Sequence, residues 1–320
     1  VTLLEESLCK WFAKKIGFDD SSGGIAASGG TLSNLNALIA ARHNAGLGSD
    51  SNSVLIVSED AHSSFIKCTR IMGLDESNLV RIKTDNKGCM DIQNLRDTLV
   101  KCSTDNKKIF AIVATLGTTV RGAIDPIKDI SEICKERNIW LHIDGSIGGI
   151  FAVTSIPIEG LNNLNQANSI TINPQKIIGI TKTSSLLLVS NIRTLENTFS
   201  TGLPYISSKE NIINRGEIGI QGSRPAEVIK LWLGLRFLGL NGIEEILKSS
   251  IRRKDFFIKN VNKNKFEIYS GPLHIISLLP MGLAPKDIDF WTQSKVNELM
   301  KNNFMISRPK FKGKYFLRIV

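Results

Sequence analysis

Cysteine is scarce and unpatterned. The chain has 320 residues and five cysteines, Cys9, Cys68, Cys89, Cys102 and Cys134, an odd number with no CxxC pair. That argues against a disulfide framework and against a zinc site, and points to free, buried thiols in a reducing cytosol; no metal is expected. Long apolar runs are also missing. None approaches the ~20 residues needed to span a bilayer, so no membrane partner is expected. The first residues, Val1-Thr2-Leu3-Leu4-Glu5-Glu6-Ser7-Leu8, lack the basic-then-apolar order of a signal peptide. These observations lead to a cytoplasmic expectation. The absence of an initiator Met, with a helical pattern already under way, leads to the expectation that further residues precede Val1.

Basic blocks are absent as well, although the net charge is +10. The lysines and arginines are spread along the chain and mixed with acids, without the aromatic interleaving of a nucleic-acid stripe, so nucleic acid is not an expected partner. A basic cleft would instead attract anionic cofactors and substrates. There is no internal repeat and no low-complexity segment.

What is present is an alternation of short apolar strands and amphipathic helices. A hydrophobic content of 42% is enough for one large core, or a large domain with a smaller one. The spacing predicts helices over residues 2–16, Thr31–Ala45, His62–Met72, Asp91–Lys101, Asp125–Arg137 and Pro225–Leu238. Strands are predicted at Val54–Val57, Leu79–Ile82, Ile109–Thr115, Ile139–Ile143, Ser169–Asn173 and Ser185–Val189. Ser21–Gly30 reads as a small-residue loop, and residues 246–270 as a further helix leading to a strand, followed by strand, helix and strand up to Val320. This order implies an α/β fold with a mostly parallel sheet covered on both faces, in which ligands bind at the carboxyl ends of the strands.

The polar residues of interest fall at such ends. His62 follows one strand, Thr118 and Thr119 a second, Asp144 a third and Lys176 a fourth. Ser28-Gly29-Gly30-Thr31 precedes a helix, where small residues let backbone N–H groups approach a phosphate, although a Gly-Gly turn with a Thr cap explains the same letters. His142 lies two residues before Asp144 on the same face, one layer deeper, and is assigned a structural role. Arg318 sits in the apolar strand Tyr315–Val320, either on its solvent face or as a carboxylate clamp. A lysine amine that can hold an aldehyde, and a carboxylate that can keep a pyridine nitrogen protonated, are what pyridoxal 5′-phosphate chemistry requires.

Taken in order, the segments Ser28–Asn34 with Ala40-Ala41-Arg42, Ser58–Ser64, Leu116–Thr119 with Gly122–Pro126, Trp140–Gly149, Asn173–Lys176, Ile220–Arg224 and Lys230-Leu231-Trp232 resemble the pyridoxal-phosphate-dependent group II amino-acid decarboxylases. That group acts on glutamate, cysteine sulfinate, histidine or aromatic amino acids, and the resemblance covers nearly the whole chain. It implies fold type I, with residues 1–245 as a large cofactor-binding domain and 246–320 as a small C-terminal α/β domain. It implies that Lys176 binds the cofactor aldehyde, that Asp144 pairs with the ring nitrogen, that Thr119 orients that carboxylate, and that His62 stacks on one ring face with Ser146 against the other. Gly30, Thr31 and Asn173 would hold the phosphate, Gln175 would stand where the group usually has histidine, and Arg318 would grip the substrate carboxylate. A homodimer with a shared active site and an amino-acid substrate, acidic by the likeness of Asn173–Lys176 and Ile220–Arg224, are also implied. One departure leaves an alternative open. The stretch Tyr205–Gly216 is shorter than the family's mobile loop, and its tyrosine matches an earlier position than the expected proton donor. A carbonyl-forming amine oxidase or lyase on the same scaffold, or a silent homologue, therefore stands beside the decarboxylase.

Overall fold

The structure, a computed structural model, describes residues 1–182, 184–202 and 214–320. Helix α1 (Thr2–Lys15) leads to strand β1 (Gly23–Ala27) and helix α2 (Gly30–Asn44). Then β2 (Ser53–Ser58), α3 (Ser64–Ile71), β3 (Leu79–Ile82), α4 (Ile92–Thr104), β4 (Lys108–Thr115), α5 (Ile127–Arg137) and β5 (Trp140–Gly145) alternate. β6 (Ser169–Ile172), the short α6 (Pro174–Ile177), β7 (Ser185–Val189) and α7 (Arg193–Phe199) follow.

These strands form one seven-stranded sheet in the order β1-β7-β6-β5-β4-β2-β3. Only β7 runs against the others, pairing antiparallel with both β1 and β6. The inner strands β2, β5, β6 and β7 are buried at every residue. Burial on both faces is why their sequences are apolar runs with little alternation. On one face α1, α4, α5 and the later part of the chain enclose Phe12, Leu95, Leu99, Ile130, Ile133 and Phe151. On the other, α2 and α3 cover Leu38, Leu55, Phe65, Phe110 and Val113.

Strand β1 corrects the loop expected at Ser21–Gly30. Gly23-Gly24-Ile25-Ala26-Ala27 offers one β-branched residue and no alternation, so its propensity signal is weak. Close packing explains the composition: a Cβ on Gly24 would lie 2.2 Å from the Leu187 carbonyl oxygen. Glu5, buried on α1, accepts the Ala26 N–H at 2.7 Å and pairs with Arg224 at 2.7 Å, so the edge strand is tied to both.

The last part of the chain begins with α8 (Val228–Asn260), broken at Gly239 (φ 63°), so that the segment expected to end at Leu238 resumes as a second helical length. Strands β8 (Phe266–Ser270), β9 (Ile276–Pro280) and β12 (Leu317–Ile319) form a separate antiparallel sheet in the order β12-β9-β8. Helix α9 (Pro285–Lys301) and a hairpin of β10 (Lys310–Phe311) and β11 (Lys314–Tyr315) complete it. The five cysteines form no disulfide; four are buried and Cys89 is half-buried.

One buried acid fixes the turn after β4. Asp125 is 1% exposed and accepts the backbone N–H groups of Thr115 and Met90, each at 2.7 Å. Burial pushes its carboxyl up to about 7, against the pull of those two donors. Asp125→Ala leaves both donors unpaired in the core. The expected cost is roughly 2–6 kcal/mol, from about 1–3 kcal/mol for each orphaned group. Urea unfolding measures it, and a loss below about 0.5 kcal/mol would mean the turn is held by something else.

Candidate active site

The carboxyl ends of β4, β5 and β6 and the N-terminus of α2 surround a cavity of about 250 Å³. Lys176, Asp144, His62, Gly30, Thr31, Thr119, Ser146, Asn173 and Gln175 all line it. Arg318 does not. A larger cleft of about 1030 Å³, between residues 85–92, 121–129 and 267–272, contains no such grouping of reactive side chains, so size is a poor guide here.

Asp144 ends the central strand and is 5% exposed. In the sheet register it lies between Thr115 of β4 and Thr171 of β6. Its Oδ2 accepts the Asn34 side-chain N–H at 3.1 Å, and its Oδ1 accepts the Ser146 backbone N–H at 3.1 Å. Thr119, expected to orient this carboxylate, makes no hydrogen bond to it; Asn34, reaching in from α2, has that place instead.

Lys176 lies in the single turn of α6, which starts with Pro174 at its first position and is closed by the Lys176 N–H on the Asn173 carbonyl at 3.1 Å. The side chain is exposed to the cavity and has no ion pair or hydrogen bond among the described residues. Desolvation lowers its pKa, Asp144 opposes that, and Arg318 adds to it. An unpaired amine with an enlarged neutral fraction is a nucleophile.

At the other end of the cavity, Gly30 begins α2. A Cβ there would come within 2.6 Å of Ser146 Oγ and 2.8 Å of the Asn173 amide, so only glycine allows this approach. With the Asn173 oxygen turned toward it, the Gly30 N–H donates at 3.2 Å. Asn173 also contacts Ser185 Oγ, which in turn meets Ser33 Oγ at 2.7 Å. The first N–H groups of a 15-residue helix therefore open beside hydroxyl and amide groups, a setting that suits an anion.

His62 stands on the segment between β2 and α3. Its Nδ1 accepts the Ser64 N–H at 3.1 Å and lies 2.8 Å from Ser64 Oγ, which leaves the proton of the neutral ring on Nε2. The ring is open to the cavity mouth, yet the surrounding protein desolvates it enough to lower its pKa, partly offset by Asp144. Gln175 accepts the Ser184 N–H through Oε1 and so pins the chain beyond the lysine. Arg318 donates from Nη1 to the Thr119 carbonyl at 3.0 Å and from Nε to Ser307 Oγ at 2.8 Å, just behind the cavity wall.

Asn34, Ser64 and Thr115 also line the cavity, and no role was read for them in the sequence. Asn34 had a signal available: it is three residues beyond Thr31, on the same face of a helix whose N-terminus was already of interest. Thr115 Oγ1 and Thr171 Oγ1, flanking Asp144, are buried without a hydrogen-bond partner among the described residues. Tyr205 and residues 206–213 of the short loop lie outside the described residues.

Comparison with known proteins shows the family and the fold. The curated relatives include an aromatic-L-amino-acid decarboxylase of Bacillus atrophaeus, 29% identical over 327 aligned positions, covering 99% of this chain and 68% of the relative. They also include the acidic amino acid decarboxylase GADL1 of Xenopus tropicalis, 29% identical over 284 positions, covering 84% of this chain and 55% of the relative. The chain thus spans about two thirds of the first relative and about half of the second. Among solved structures, mouse CSAD in apo form superposes with a TM-score of 0.88 at 23% identity, covering 99% of this chain and 71% of that one. Oryza sativa TDC with PLP and tryptamine gives 0.90 at 20% identity, covering 100% and 71%. These likenesses establish the fold as that of the type I decarboxylases. Residues 1–277 match the pyridoxal-dependent decarboxylase conserved domain, and the chain accordingly belongs to the family of amino-acid decarboxylases whose cofactor is pyridoxal 5′-phosphate.

Proposed function

We propose that this chain carries out its family's reaction, the removal of CO₂ from an L-amino acid to leave an amine. The observation that carries the reading is a free, desolvated lysine amine sharing one cavity with a buried, hydrogen-bonded carboxylate. The donor set fits the cofactor. Lys176 would hold it covalently, Asp144 would face its ring nitrogen, and the α2 N-terminus with Asn173 and Ser146 would receive its phosphate. The unpartnered Thr115 hydroxyl at the cavity wall is a further polar group in want of a ligand. Bound pyridoxal phosphate supplies a cationic ring that accepts the electron pair released as the carboxylate departs.

The protein's own part is electrostatic and positional. Two N–H donors orient Asp144, and a carboxylate at that point would keep a proton on a nitrogen beside it. His62, with Nδ1 occupied by Ser64, presents a neutral ring with its N–H on Nε2. Arg318, fixed to the Thr119 carbonyl, brings positive charge close to Lys176, where a substrate carboxylate would bind. The finer reading is an acidic substrate, supported by the likeness of Asn173–Lys176 and Ile220–Arg224 to the glutamate and cysteine-sulfinate branch. The net charge of +10 favours an anionic ligand in the same direction. We also read the active form as a homodimer, and the chain as a large unit up to residue 245 with a smaller one beyond it.

Incubating the protein, loaded with pyridoxal phosphate, with single L-amino acids and following CO₂ and products by mass spectrometry tests this reading. CO₂ with an amine from glutamate, aspartate or cysteine sulfinate supports it in full. An aromatic amine would correct the substrate class, and an aldehyde in place of amine would correct the reaction. Lys176→Ala is expected to abolish turnover while leaving thermal unfolding of the cofactor-free protein unchanged; residual activity above a trace would remove the lysine from its role. Because desolvation holds the His62 pKa below its ordinary 6.5, the neutral ring persists as pH falls to that value. The acid limb of kcat/KM attributable to His62 should therefore lie below pH 6.5 and vanish in His62→Gln. An acid limb that survives this substitution belongs to another group.

A further inference from the structure

Behind Asp144 runs a continuous line of buried polar side chains. Trp140 Nε1 donates to Ser169 Oγ at 2.8 Å, and Ser169 Oγ lies 2.8 Å from His142 Nδ1. His142 Nε2 lies 3.0 Å from Asn34 Oδ1, and Asn34 Nδ2 donates to Asp144 Oδ2 at 3.1 Å. His142 and Ser169 are fully buried and Asn34 is 1% exposed, so water does not compete for these bonds.

The carboxylate end of this line, with a neutral imidazole in the middle, fixes the protons along it. An indole N–H can only donate, so Ser169 Oγ accepts there and keeps its own proton free to offer to His142 Nδ1. A carboxylate can only accept, so Asn34 must turn its NH₂ toward Asp144 and its oxygen toward His142 Nε2. His142 Nε2 must then carry the hydrogen. A neutral Nε2–H ring is the form that satisfies both neighbours, and burial, which drives the His142 pKa down to about 4, is consistent with it. Reversing any one bond would set donor against donor or acceptor against acceptor in a dry interior.

We propose that Trp140, Ser169, His142 and Asn34 form a one-way hydrogen-bond relay that positions the Asp144 carboxylate toward the cavity. This rests on the reading of Asp144 as the partner of the cofactor ring. None of the four relay residues touches the reacting atoms through the relay; they are positioning residues acting through Asp144. The ordinary alternative is that the line only satisfies polar groups in the core. It would then contribute to stability alone.

The test uses cofactor binding to the whole chain, followed by absorbance and fluorescence with pyridoxal 5′-phosphate, together with thermal unfolding without cofactor. His142→Leu removes the donor to Asn34 and is expected to weaken cofactor binding by about threefold to tenfold, the scale of one neutral hydrogen bond. His142→Gln, which can still offer an N–H toward Asn34, should recover most of that loss. In an Asp144→Asn background, His142→Leu should have little further effect on binding, because the group it acts through is gone. Equal losses in both backgrounds, or full affinity in His142→Leu, would overturn the relay. If the unmodified protein fails to bind pyridoxal phosphate at all, the functional reading itself falls and takes the relay with it. A measurement without substitution guards against variants that do not fold: ¹⁵N NMR of the imidazoles in the unmodified protein should show His142 as the neutral Nε2–H form from pH 5 to 8, and an Nδ1–H form would refute the assigned direction.

Discussion

A carboxylate with 5% exposure at the end of the central strand is the constraint around which the site is arranged. Removing an ionised group from water costs several kcal/mol unless hydrogen bonds replace the lost solvation. Asp144 receives one such bond from the Ser146 backbone in the turn that follows its own strand, and another from Asn34 on a helix that belongs to an earlier part of the chain. The α2 helix must therefore dock in one register against β5 and β6. Because Gly30 lies on that same helix, the docking that satisfies Asp144 also sets the helix N-terminus against Ser146 and Asn173. One electrostatic requirement thus fixes the distance between the two ends of the cavity.

The sheet makes this arrangement rigid. Thr115, Asp144 and Thr171 stand side by side in three parallel strands buried on both faces. The polar row sits at the carboxyl rim of a largely apolar core, where the direction of the strands leaves space. Lys176 and His62 come instead from segments after strand ends, which can carry side chains into the cavity without disturbing the sheet. This division explains why the carboxylate is buried and tightly bonded while the amine and the imidazole are open to the cavity.

The fold was legible where burial dictates composition. The parallel strands read as apolar runs and the helices as periodic ones, and Asp144 and Lys176 stood out because charged residues directly follow such runs. β1 was not legible, because Gly-Gly-Ile-Ala-Ala is chosen for close approach to β7 and not for strand propensity. The joined helices at 228–260 were read as separate ones, since the break at Gly239 interrupts the periodicity without ending the helix pair. In the site, the residues at strand ends and at the α2 N-terminus fall together in the cavity, whereas the hydrogen-bond partner of Asp144 was misplaced. Asn34 lies 110 residues away in sequence, and nothing in local spacing connects an asparagine on one helix to a carboxylate on a distant strand.

The wall formed by residues 118–121 depends on a part of the chain still further away. Ser277 Oγ donates to the Val120 carbonyl, and Arg318 donates to the Thr119 carbonyl. Arg121 approaches Asp60 at 3.0 Å, without the alignment of a hydrogen bond, and lies 5.0 Å from the centre of the Phe311 ring. Lys312 pairs with Glu59 at 2.8 Å, three residues before His62. The C-terminal sheet and its hairpin therefore grip both the Thr119 turn and the segment that carries His62. Burial raises the Asp60 carboxyl to about 6 even beside Arg121, so this contact is an ion pair held partly against its desolvation cost. Such a pair adds little net stability but strongly penalises misplacement, since separating the partners leaves a buried charge alone. The position of Thr119 at the cavity is for that reason set by residues beyond 270, and Arg318 acts on the site through the turn it holds as well as through its charge.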